Sequence, residues 1–151
     1  MDWHCTLPTR DKDVVMAAVA QQGLALYFAD DYLKRDKDVV MAAVTQNGEA
    51  LKFADENLKQ DKDVVMAAVM NDGMALEHAD ESLKRDIDVV MAAVTQRGRA
   101  LQFADETLKS DRDVALAAMD NPSDSEPESK YGSWLLFLGK LINTATRLQT
   151  D

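Results

Sequence analysis

Reactive side chains are scarce in this sequence. His4 and His78 are its two histidines and Cys5 its one thiol, so the conceivable nucleophile–base pair is Cys5 with His78. Such a pair also needs an orienting group and an oxyanion site. Nothing marks either, and HExxH, GxSxG and a Gly-rich phosphate loop are absent from the sequence. His78 stands where equivalent segments carry Phe28, Phe53 and Phe103. It reads as an imidazole tolerated in a core-facing aromatic slot, against the functional alternatives of ligand, base or pH-sensitive switch. Carboxylates are abundant, and the pairs Asp11 and Asp13, Asp36 and Asp38, Asp61 and Asp63, and Asp86 and Asp88 invite a calcium reading. Calcium loops, however, spread their oxygen ligands over a Gly-bearing turn closed by a distant Glu. Each pair here opens an apolar run, where helix capping accounts for it without a metal. A single cysteine also rules out an intramolecular disulfide and a Cys-rich zinc site. The expectation is a chain with no catalytic residue, metal site or cofactor.

The elements that hold these residues are set by a repeat. The run DKDVVMAAV begins at Asp11, Asp36 and Asp61, returns as DIDVVMAAV at Asp86, and degrades to DRDVALAAM at Asp111, a spacing of 25 residues each time. Gly23, Gly48, Gly73 and Gly98 recur with it, each followed after one residue by Ala-Leu, then by Ala-Asp and Leu-Lys. The opening Asp is a good N-cap, and the Asp two residues on complements the helix dipole. The Ala pair and the Gly stop favour helix over buried strand for Val-Val-Met-Ala-Ala-Val, with the Gly expected in a left-handed C-cap. The second half, such as Glu49-Ala-Leu-Lys-Phe-Ala-Asp-Glu, places Ala50, Leu51, Phe53 and Ala54 in one apolar band and predicts a shorter second helix. Six consecutive apolar residues make the first helix apolar on nearly every side, so it must be sandwiched between neighbours. The predicted fold class is all-α, a short α-solenoid of tandem 25-residue helix-turn-helix repeats: four full units and a partial fifth over 11–119.

Both ends of such a stack need covering. Residues 1–10, with Trp3 and Leu7, are the expected N-terminal cap, while Asn121-Pro122 replaces the usual helix end and Gly and stops the fifth unit early. Residues 120–130 form an acidic, Pro- and Ser-containing linker. Beyond it, Trp134, Leu135, Leu138, Leu141, Ile142, Ala145 and Leu148 fall on one stripe of an amphipathic helix within 131–149. That helix either folds back as a cap, docks in a partner's groove or touches a membrane.

The bulk numbers narrow the partners. A 151-residue chain that is 46% hydrophobic and 29% charged is one globular domain rather than a disordered segment. Its net charge of −10 opposes both nucleic acid and anionic membrane surfaces. The start lacks a basic region followed by an apolar one, so no secretory signal peptide is expected, and no apolar run is long enough for a transmembrane segment. What remains is binding, and the positions where units differ are where it would be tuned. The tenth position reads Ala20, Thr45, Met70, Thr95 and the fourteenth Leu24, Glu49, Met74, Arg99, an alternation that suggests a 50-residue double unit. Tyr27 and Tyr32 in the first unit stand where later units carry Lys52, Glu77, Gln102 and Asn57, Ser82, Thr107. Leu24, Tyr27 and Tyr32, with Met70 and Met74, are thus candidate partner-binding residues, unless the chain's own ends cover them. Trp134, Leu135, Leu138, Leu141 and Ile142 join them if the last helix docks on another protein.

The unit D-[K/R]-D-V-V-M-A-A-V-x-Q-x-G-x-A-L-x-F-A-D-E-x-L-K resembles the repeat of the family called domain of unknown function 4116 over residues 11–119. His78 and the shortened fifth unit depart from that pattern. The resemblance implies a double repeat of about 50 residues with no assigned catalytic residues, found in protists, algae and intracellular bacterial pathogens, translocated effectors included. The expected function is a non-enzymatic protein–protein interaction module, an adaptor, inhibitor or translocated effector, in the cytoplasm or a host cytosol. The alternative is a structural subunit, a homo-oligomer or part of a larger or membrane-associated complex, anchored by the C-terminal helix.

Overall fold

A computed structural model describes residues 10–121. All but Arg10 of the expected N-terminal cap, nearly all of the acidic linker and the predicted 131–149 helix lie outside these residues. Within them the first half of every unit is an α-helix: α1 is Lys12–Gln21, and α3, α5, α6 and α8 below are its counterparts. Each 25-residue turn of the stack is all helical, but its second half is two pieces rather than one helix. After α1 come a 3-10 helix, Gly23–Phe28, and a single helical turn α2, Asp31–Lys34. The pattern repeats as α3 (Lys37–Gln46), Gly48–Phe53 and α4 (Glu56–Lys59), then α5 (Lys62–Asn71), Gly73–His78 and a 3-10 turn Leu83–Arg85. It closes with α6 (Ile87–Gln96), Gly98–Phe103, α7 (Glu106–Lys109) and α8 (Arg112–Met119).

The 3-10 geometry follows from the residue pattern. Three residues per turn place positions i and i+3 on one edge. Gly23, Leu26 and Ala29 and their equivalents in each later unit keep that spacing, and all are buried. The outer edge of the first copy is then Leu24 and Tyr27. The α-helices start as the sequence predicts: Asp11, Asp36, Asp61, Asp86 and Asp111 each accept the backbone N–H two residues on, at 2.9–3.0 Å.

The glycines act differently from the left-handed cap expected of them. No described glycine has a positive φ; the helices end instead on extended residues, Gln22, Asn47, Asp72 and Arg97. Glycine is required by close approach. A Cβ on Gly23, Gly48 or Gly73 would lie 2.4, 2.4 or 2.3 Å from the carbonyl oxygen of Ala43, Ala68 or Ala93 in the next unit.

Successive units stack like on like, α1 on α3 on α5 on α6 on α8, with the 3-10 helices forming a parallel row. The core is one continuous cluster of Val, Leu and Ala along the stack, and the all-round apolar helix is sandwiched as its composition demands. Val39, Val64 and Val89 are fully buried, whereas Val14 in the first described unit is 54% exposed. Backbone bonds also cross between units: the N–H groups of Asp55, Asp80 and Asp105 donate to the carbonyls of Lys34, Lys59 and Lys84 at 3.0–3.1 Å.

Candidate functional site

Much of the chain's polar chemistry is spent on stacking. Lys12 Nζ lies 2.7 Å from Asp36 and 3.6 Å from Asp38 of the next unit. Lys37 reaches Asp61 and Asp63 at 2.8 and 3.3 Å, and Lys62 reaches Asp86 and Asp88 at 2.8 and 3.0 Å. The lysine hydrogen bonds hold Asp36, Asp61 and Asp86 below the ordinary carboxylate value, and the aspartates raise the three lysines. Ile87 takes the lysine position in the fourth unit and stands 46% exposed, so that rung is missing. A second ladder joins Arg10 to Asp30, Arg35 to Asp55 and Arg85 to Asp105 at 3.0, 3.3 and 3.2 Å, with Gln60 bonding Asp80 in between. The DxD pairs are therefore caps and ladder rungs. Among the described residues, no group of three or more His, Cys, Asp or Glu is arranged to hold a metal ion.

The sequence reading missed a third ladder. Gln46, at the eleventh position, accepts the Gly23 N–H at 2.6 Å and donates to the Gln21 carbonyl at 3.1 Å. Asn71 treats Gly48 and Thr45 alike, at 2.8 and 3.0 Å. This amide satisfies an N–H that the close approach of the units would otherwise bury unpaired. Asn121, read as the residue that breaks the fifth unit, fills the same position and donates to the carbonyls of Val94 and Thr95 at 3.2 and 3.1 Å. Gln or Asn two residues before each Gly was the available signal.

What stacking leaves over is an aromatic face on the first unit. Tyr27 is 59% exposed, Phe28 46% and Tyr32 52%. The Tyr27 ring meets Phe28 edge-on at 5.1 Å and Phe53 of the second unit at 5.2 Å. Lys34 lies 5.9 Å from the Tyr27 ring centre and Lys52 5.1 Å from that of Phe53, giving the face a cationic margin. The Tyr32 hydroxyl donates to the Arg10 carbonyl, which fixes its ring. Leu24 borders this face half-buried against the core. Met70 is exposed at 61% and Met74 half-buried, both in the third unit, two units along the stack from Tyr27. Phe28, assigned by sequence to a core slot, belongs to the open surface instead. Trp134, Leu135, Leu138, Leu141 and Ile142 lie outside the described residues.

His78 occupies the same position in the third unit and is half-buried. Burial pushes its imidazole below the ordinary value, opposed by Glu77 and Glu49 and aided by Lys52 and Lys59. No described helix is long and apolar enough to cross a membrane.

Comparison with curated proteins and with solved structures returns no match. A family model does match, at residues 11–59, 61–109 and 86–125. The first two matches each span two 25-residue units, in keeping with the alternation at the tenth and fourteenth positions. The chain thus belongs to the family described as Domain of unknown function (DUF4116).

Proposed function

We propose that the chain is a non-enzymatic protein-binding module whose contact surface is the aromatic face of the first unit. The observation that carries this reading is the three-ring exposure at Tyr27, Phe28 and Tyr32. Two of these rings stand where every later unit carries a polar side chain, so the fold itself does not require them. Exposed Tyr and Phe beside a cationic margin suit the buried centre of an interface. The DxD carboxylates, by contrast, are already engaged in holding units together.

The test uses residues the repeat already accepts. Tyr27→Lys and Tyr32→Asn copy Lys52 and Asn57 of the second unit. Affinity capture from source-cell or host lysate with the full chain and with this double variant, read by mass spectrometry, should lose one stoichiometric partner while circular dichroism stays unchanged. A partner kept by the double variant, and lost only with Leu138→Lys and Leu141→Lys, would instead support the structural-subunit reading.

A further inference from the structure

The exposed positions show which way each unit faces. The fourth and eighth positions meet the preceding unit: Val39, Val64, Val89, Val114, Ala43, Ala68 and Ala93 are fully buried, while Val14 is open. The ninth meets the following unit. Val19, Val44, Val69 and Val94 are 0% exposed there, but Met119 is 43% exposed and Leu116 beside it 39%. Leu108 is likewise only partly buried, where Leu33 is fully so. The far end of the stack therefore presents an apolar face of known composition, the face a sixth unit would cover.

We propose that residues 131–149 form a helix that lies on this end of the stack, against Leu116 and Met119, in the place of a sixth unit. By Asn121 the fifth unit has made its polar contacts with the fourth, through the bonds to Val94 and Thr95. An internal unit would supply its apolar Gly-x-Ala-Leu within the next few residues. This chain instead runs through polar PSDSEPESK and then brings YGSWLLFLGKLINTATRLQ, with an apolar stripe from Trp134 to Leu148. Residues 122–130 can extend about 30 Å, while the open face lies only two residues before Asn121, so the segment reaches it easily. A tether of this length sets an effective concentration on the order of millimolar, above what a second copy or a foreign partner reaches at micromolar levels. Charge agrees. The segment carries Lys140 and Arg147 and no carboxylate, +2 of a net −10, which leaves −12 on the rest of the chain. Nineteen helical residues span about 28 Å, enough to cover α8 and reach the row of 3-10 helices beside it.

The experiment uses the full chain and does not depend on the aromatic face. Hydrogen exchange in α8 and the emission of Trp134, in a Trp3→Phe background, are measured for the parent, for Leu138→Lys with Leu141→Lys, and for Met119→Lys. Sedimentation at micromolar concentration should show a monomer. The double variant should exchange α8 at least tenfold faster while α3, the internal control, is unchanged. Trp134 emission should be blue-shifted in the parent and shift red in both variants. Unchanged α8 exchange in the double variant, or solvent-like Trp134 emission in the parent, overturns the proposal. So does a dimer whose α8 protection falls on dilution, since the helix would then belong to a second copy.

Discussion

Replacing Gln46 by Leu removes both ends of one amide rung without changing the size of the side chain much. The Gly23 N–H loses its acceptor at 2.6 Å, and Gly23 is buried, so water cannot substitute. An orphaned buried donor costs about 1–3 kcal/mol. The second bond, to the Gln21 carbonyl, is exposed and adds little, because water replaces the amide there. The expected loss is therefore about 2 kcal/mol, a shift of roughly 1 M in the urea midpoint. Gln46→Asn isolates the cause. Asn71 and Asn121 hold the same position with the shorter amide, so this variant should keep most of the stability. Because units touch only their neighbours, the damage should concentrate in the first unit. Equilibrium unfolding followed by circular dichroism gives the total, and exchange of the Gly23 and Leu26 amides gives the location. A Leu variant within about 0.5 kcal/mol of the parent, or an Asn variant as damaged as the Leu one, refutes the role assigned to this amide.

Other perturbations follow from the same geometry. Gly48→Ala should destabilise by about 2–3 kcal/mol, because its Cβ would meet the Ala68 carbonyl oxygen at 2.4 Å and backbone must move; a raised melting temperature would contradict this. His78→Phe should stabilise the fold and flatten its acid side. The folded imidazole is held below its ordinary 6.5, so in the parent stability is highest above that value and falls as pH drops through it; thermal melts from pH 8 to 5 compare the two. Lys37→Met should cost a small amount that vanishes in high salt, as surface ion pairs do. Asp61, held low by Lys37, contributes above the ordinary carboxylate value of 3.8 and loses that contribution as pH falls. The parent and Lys37→Met should accordingly converge in melting temperature at strongly acid pH.

Most of the architecture was legible because one pattern recurs five times. The Asp caps, the apolar runs and the stacking they force were read from DKDVVMAAV alone, and each lies where the pattern put it. The second half of the unit was harder. An apolar band over Ala50, Leu51, Phe53 and Ala54 suits an α-helix, yet the residues that are buried in every unit, Gly, Leu and Ala, come three apart. That spacing is a 3-10 signal, visible only by comparing units rather than reading one. The glycine was misassigned because a recurrent Gly after a helix usually marks a left-handed turn, whereas here the constraint comes from a neighbour 20 residues on. Distances between units cannot be read from a single unit's sequence. For the candidate site, Tyr27, Tyr32 and Met70 were found by their departure from the repeat, and they are exposed. Phe28 was missed because it obeys the repeat, yet it is 46% exposed where Phe53 and Phe103 are half-buried.

A stack that repeats its own contacts has little freedom to evolve a binding surface. Positions one, three, four, five, eight, nine, eleven and thirteen are held by caps, core and the amide rung in unit after unit. Changing the fourth, eighth or eleventh loosens the contact with the preceding unit, and changing the ninth the contact with the following one. The tenth, fourteenth, seventeenth and twenty-second positions escape this constraint, and the units differ at each of them. At the tenth, Thr45 and Thr95 return their hydroxyl bonds to their own helix, so a polar residue there costs the stack nothing. The aromatic face uses the seventeenth and twenty-second positions of the first unit. A surface there can change most without loosening the rest, which is why a partner is best sought at Tyr27 and Tyr32 before the middle of the stack.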